Sequence, residues 1–160
     1  QFQKLNGSSR SILLAGNCLE DLPATVPIHL AIRLAENGKC LLIDFDSRRD
    51  SMAKIFEIDS SKMNRDLRVR PVPSPFDNLD IWPARFFDLL RQMNLRSLLD
   101  EANQKYDYII LYAPYLPCLP DRKQIAFRAR QAIAFSRKDR DTTPLYTLLD
   151  DNKCKILLKS

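Results

Sequence analysis

The chain has 160 residues, a formal net charge of +5, and hydrophobic and charged fractions of 45% and 28%. That length suits one domain over residues 1–160 with a buried core, and the balance is that of a soluble globular protein. No apolar run approaches the roughly 18–20 residues that span a bilayer, and the opening "QFQKLNGSSRSILL" lacks the basic end and apolar stretch of a signal peptide.

The opening also lacks an initiator Met, so the chain is expected to be a piece of something longer or to have lost its first residues. "SILLAG" (11–16) reads as a buried strand, followed by the loop "NCLEDLPATVP" with no glycine after Gly16. Ile28, Ala31, Ile32, Leu34 and Ala35 recur at helical spacing, and "ENGK" (36–39) closes that helix with Gly38 just beyond its end. Pro27 has no N–H and is comfortable only in a first turn, which favours Thr25 or a neighbour as N-cap. "CLLIDF" (40–45) is a second buried strand, so the three elements form a βαβ unit with parallel strands.

A short helix, "DSMAKIFEI" (50–58), comes next, and the polar, proline-marked stretch 59–78 is expected to be a mobile loop. "LDIWPA" (79–84) reads as a strand and 86–106 as a helix whose stripe is Leu89, Leu90, Met93, Leu95, Leu98 and Leu99. "DYIILYA" (107–113) is the most hydrophobic strand and should be central. A helix (121–131), a strand (132–136), a helix that Pro144 can open (141–151) and a last strand (155–159) complete the chain. The alternation predicts an α/β fold: a doubly wound, mostly parallel sheet with helices on both faces.

Cys18, Cys40, Cys118 and Cys154 are scattered with no C-x-x-C pair, as for buried or half-buried free thiols in a reducing cytoplasm. His29, the one histidine, has no partner for a metal site and is expected to pack within the first helix. Basic residues cluster at Arg48-Arg49, at 65–70 and at 137–141, and acidic neighbours interrupt each cluster. That pattern suits a solvated surface, with contact to an anionic partner as the alternative.

Three strand ends carry the candidate chemistry, because ligands of such sheets bind at the carboxyl ends of strands. These are the loop after Gly16, "LLIDFDSRRD" after the second strand, and "IILYAPYL" after the central one. In this order, with the skeleton "LA…LA…GK…LLID.D.RR", they resemble P-loop ATPases of the MinD/ParA type. They are most similar to the bacterial tyrosine kinases of capsule and exopolysaccharide export. "LDIWPA" and "LRSLLDEANQKYDYIILYAPYLPCLPD" also resemble the corresponding family segments, so the likeness runs from about Ser11 to Leu158.

The resemblance implies a P-loop NTPase-like fold, but the residues depart from the family's chemistry. Glycines let a P-loop turn successive N–H groups onto phosphate, while a Lys reaches the β/γ-phosphates. Here the Gly-Lys-Ser/Thr positions fall on Leu22, Pro23 and Ala24, followed by Thr25, and Glu20-Asp21 bring negative charge. Either carboxylate can fold back toward the helix N-terminus, where relatives hold phosphate. The family's two magnesium-serving aspartates match Asp44 and Asp46, which can equally end a strand and cap the next turn. Its third aspartate is replaced by Tyr112, which cannot supply a carboxylate to Mg²⁺.

The sequence therefore reads as a pseudo-ATPase, a non-catalytic docking or regulatory module of exopolysaccharide or capsule biosynthesis or export. No cofactor, catalytic residue or metal ligand is expected. The alternative is a weak ATPase or protein tyrosine kinase binding ATP and Mg²⁺ through Asp44, Asp46 and Thr25, with a lysine such as Lys39 or one donated by a partner chain. The implied partners are an active homologous ATPase or kinase, an inner-membrane polysaccharide export protein, or a second copy of the chain. Nucleic acid is not expected. The implied location is the cytoplasm, at the inner face of the membrane through a partner or a segment outside these residues.

Overall fold

The structure, a computed structural model, describes residues 10–59, 70–85 and 95–159. Seven strands form one sheet: β1 (Arg10–Gly16), β2 (Cys40–Asp44), β3 (Val72–Pro73), β4 (Leu79–Trp82), β5 (Tyr108–Ala113), β6 (Gln131–Phe135) and β7 (Lys155–Lys159). Their order is β3-β4-β2-β5-β1-β6-β7, with every neighbouring pair parallel except β3 and β4. The hydrophobic β5 is the middle strand, as its composition demands of a strand covered on both faces. The helices are α1 (Thr25–Ala35), α2 (Ser51–Ile55), α3 (Leu95–Lys105), α4 (Arg122–Ala129) and α5 (Thr143–Asp151).

The period-two alternation of the strands sorts the core into two layers. Leu13, Ala15, Leu41, Ile43, Ile109 and Leu111 pack with residues of α3, α4 and α5. Ile12, Leu14, Cys40, Leu42, Ile110 and Tyr112 pack with Ile28, Ala31 and Ala35 of α1 and Met52 of α2. Helices thus cover both faces, which is the doubly wound arrangement expected.

Several local expectations are revised. Val72 and Pro73, inside the stretch read as a mobile loop, pair antiparallel with Ile81 and Asp80, while residues 60–69 lie outside the described residues. Basic residues 65–69 and stripe residues Leu89, Leu90 and Met93 also lie outside them. Gly38 is not a left-handed helix terminator. A Cβ there would stand 2.7 Å from the Asp107 carboxylate, whose Oδ2 accepts from the Lys39 amide at 2.9 Å. His29 faces solvent rather than packing, because its position falls opposite the buried stripe Pro27, Ile28, Ala31 and Ala35. Cys40 and Cys154 are buried and Cys18 half-buried, but Cys118, on a one-turn 3-10 segment after β5, is exposed.

Candidate functional site

The carboxyl ends of β1, β2 and β5 adjoin, since Leu14 and Asp44 both sit beside Tyr112 in the sheet register. Gly16 ends β1 where only a glycine fits. A Cβ there would lie 2.2 Å from the Pro114 carbonyl oxygen, which belongs to rigid backbone. The chain then runs through Asn17 and Cys18 into a short 3-10 turn (Leu19–Asp21) before α1.

The start of α1 has few amides left for a ligand. The Val26 N–H is held by the Pro23 carbonyl at 3.1 Å and the Ile28 N–H by the Ala24 carbonyl at 3.3 Å, and Pro27 has none. Of the first four helical positions, only Thr25 keeps an amide outside these bonds. Ala24, not Thr25, is the N-cap, and Thr25 is the exposed first helical residue. The cap thus falls on the residue next to Thr25, within the expected range, and Ala24 has helical backbone, φ −61° and ψ −23°.

Asp44, at the end of β2, is fully buried. Its carboxylate accepts the Asp46 amide at 2.8 Å and the Met52 amide at 3.3 Å, which stitches the β2–α2 turn together. Burial first, and then the nearby carboxylates Asp46 and Asp50 against these two hydrogen bonds, raise its pKa to about 7. Asp46 is also buried and accepts Arg49 Nε at 2.6 Å and the Arg49 amide at 3.4 Å. Asp50, left-handed at φ 48°, faces Arg85 Nε at 3.4 Å. The structure brings Asp44 and Asp46 together, while Thr25 opens α1 on the adjoining segment. Lys39 lies at the opposite end of β2, about 16 Å from Asp44 at roughly 3.3 Å per residue, so it cannot serve this site.

Two residues give the site its character. Arg49 Nη2 donates to the Tyr112 hydroxyl at 3.0 Å, and that hydroxyl donates to the Leu22 carbonyl at 2.9 Å. The directions are forced, because a guanidinium only donates and a carbonyl only accepts. The fully buried Tyr112 therefore ties the β1–α1 loop, through a carbonyl, to the β2–α2 turn. Burial, more than its charged neighbours, raises the Tyr112 pKa, so the phenol is neutral at physiological pH.

The acids of the loop are met from a distance. Asp21 is turned inward with its side chain 1% exposed, and among the described residues neither oxygen accepts a hydrogen bond. Its nearest cation is Arg137 Nε at 3.6 Å, from the β6–α5 loop. Arg140 of that loop approaches the exposed Glu20 at 3.8 Å and donates to Cys18 Sγ at 3.0 Å. Asn17 Nδ2 completes the clasp by donating to the Asp141 carbonyl at 3.1 Å. Of the two carboxylates expected to fold back, Asp21 turns inward and Glu20 stays outside.

The chemistry of the lining follows. The Asp46 carboxylate, the Tyr112 oxygen and the Leu22 carbonyl present lone pairs inward, and the donors that meet them belong to Arg49 and Tyr112. Acceptors of this kind attract a cation, and Arg49 already supplies one. No set of three or more His, Cys, Asp or Glu among the described residues is placed to hold a metal ion. The site also differs from an open cleft of about 470 Å³ between Pro117, Arg122 and the α5 residues Thr143, Pro144 and Leu148.

Sequence reasoning missed the positive roles of Tyr112 and Arg49 and the pairing of the 137–141 cluster with Glu20-Asp21. The one available signal was parity: Tyr112 shares the face of Ile110, the face that α1 covers.

No protein-family model and no curated protein matches the sequence. Solved structures do match. The chimerical protein CapA2B2 superposes with a TM-score of 0.74 at 15% identity, over 94% of this chain and 75% of that one. The kinase domain of the Escherichia coli tyrosine kinase ETK gives 0.72 at 20% identity, over 94% and 66%. The septum site-determining protein MinD from Pyrococcus horikoshii, solved with Mg-ADP, gives 0.73 at 20%, over 94% and 69%. At such identities the likeness shows a common fold: this chain has the fold of the MinD-type ATPases and the tyrosine kinase domains. No helix among the described residues is long and apolar enough to cross a membrane.

Proposed function

We propose that this chain is a non-catalytic module on a P-loop ATPase fold, serving as a docking or regulatory partner in exopolysaccharide or capsule export. The observation that carries the reading is the Tyr112 hydroxyl bound to the Leu22 carbonyl at 2.9 Å. A phosphate cradle needs amides pointing inward and a cation at the phosphate. Here a carbonyl points inward, Pro23 stands at the lysine position, and the loop's charges are those of Glu20 and Asp21. The residues present do not fit a magnesium–triphosphate complex.

The remainder of the reading rests on the fold shared with the ETK kinase domain and on the motif likeness, since fold alone does not fix function. It makes the partner a protein: an active homologous ATPase or kinase, an inner-membrane export protein, or a second copy of the chain. Nucleic acid is not a partner in this reading, and the module works in the cytoplasm at the inner face of the membrane. Thermal melting with saturating Mg-ADP and Mg-ATP tests it. An unchanged melting temperature is expected, whereas a clear ligand-dependent rise, the mass-action signature of native-state binding, would overturn it.

A further inference from the structure

We infer that the carboxyl-edge site is a guanidinium seat, built to take a planar guanidinium rather than a divalent cation and occupied in cis by Arg49 between the Asp46 carboxylate and the Tyr112 hydroxyl. The inference deepens the reading above by naming the chemical class the site accepts.

Three carboxylates, those of Asp44, Asp46 and Asp50, fall within seven residues around one turn. Asp44 is satisfied by two backbone amides, and Asp50 faces Arg85 from outside. Asp46, with its side chain 3% exposed, depends on Arg49, which approaches to 2.6 Å. Arg49 uses Nε on Asp46 and Nη2 on Tyr112, so the planar fork is read by two differently placed acceptors. One carboxylate and one phenol suit a delocalised, weakly hydrated guanidinium. Magnesium instead wants near-octahedral oxygens and keeps several waters. The Tyr112 hydroxyl is free to accept from Arg49 because its proton is committed to Leu22, so the seat also sets how the β1–α1 loop lies.

The test uses the whole chain without nucleotide. Arg49→Ala is expected to lower the melting temperature, and methylguanidinium far below denaturing concentration to restore at least half of the loss with saturation. Tetramethylammonium chloride or MgCl₂ at matched ionic strength should restore none of it. Equal recovery with any salt would overturn the inference, as would recovery with Mg²⁺ at least as good as with methylguanidinium, or a variant that melts like the parent. Should Arg49→Ala fail to fold, the parent decides. Its Arg49 Nε–H should exchange with water at least about tenfold more slowly than that of Arg33, whose side chain is 80% exposed. Equal exchange rates would sink the idea. A melting-temperature rise with Mg-ADP ends the non-catalytic reading by itself, while the Arg49 measurements judge the seat separately.

Discussion

The Tyr112 hydroxyl donates to the Leu22 carbonyl at 2.9 Å, bridging the end of the central strand to a loop ninety positions earlier in the chain. It accepts from Arg49 at 3.0 Å at the same time, so one buried phenol oxygen joins three segments at the strand ends. A hydrogen bond that is both buried and shared is costly to break, because each deserted partner keeps its desolvation penalty.

Tyr112→Phe keeps the ring and removes only that oxygen. The Leu22 carbonyl and an Arg49 nitrogen lose their partner, and the expected destabilisation is about 1–3 kcal/mol. Urea unfolding of the two proteins measures it. A variant as stable as the parent would mean that water replaces the phenol and the bridge contributes little.

Gly16→Ala tests how closely β1 meets the segment after β5. Its Cβ would stand 2.2 Å from the Pro114 carbonyl oxygen, and backbone cannot step aside as a side chain can. Overpacking of this kind costs roughly 1–3 kcal/mol, and here the upper end is expected. Melting of Gly16→Ala beside a control such as Ser136→Ala reads the difference, and equal values would show that the strand end yields.

The clasp between the two loops predicts non-additivity. Arg137→Ala strands the inward Asp21 carboxylate, and because Arg137 is itself 56% exposed the loss should be near ~1 kcal/mol. Adding Asp21→Asn should recover most of it, since the amide carries no charge to desolvate. A double variant as unstable as the sum of the two singles would show that the two side chains are not coupled.

Asp44 predicts a pH dependence with a definite sign. Its folded pKa is raised from 3.8 to about 7, so between these values the native state holds a proton that the unfolded chain has released. The stability from this group is complete below the unfolded value and is lost as pH rises through the folded one. The loss runs at about 1.4 kcal/mol for each pH step between the two values. Asp44→Asn removes the titration, while giving up one accepted amide at every pH. Its melting temperature should therefore gain on the parent's between pH 5 and pH 8. A constant difference would place the Asp44 pKa at its ordinary value.

The order of strands and helices was legible because it rests on local signals. Unbroken apolar runs such as "CLLI" and "YIILYA" mark strands buried on both faces, and Ile28, Ala31 and Ala35 mark a covered helix face. The two-residue β3 escaped notice because prolines suppress any strand signal, and its pairing with Ile81 and Asp80 is made elsewhere in the chain. Gly38 was misjudged for a similar reason. Its constraint comes from Asp107, sixty-nine positions away, and not from the helix it follows.

The site divides in the same way. Residue identity alone determined that Pro23 brings no amine, that Tyr112 brings no carboxylate, and that Glu20-Asp21 bring negative charge, since these are properties of side chains wherever they lie. Only the tertiary structure decided what those side chains do. Parallel register sets Tyr112 beside both Leu14 and Asp44, within reach of Leu22 and Arg49, and the loop after β6 carries Arg137 and Arg140 to Asp21 and Glu20. Hydrogen bonds and ion pairs act over a few ångströms of space, and which residues come that close depends on how the sheet is ordered.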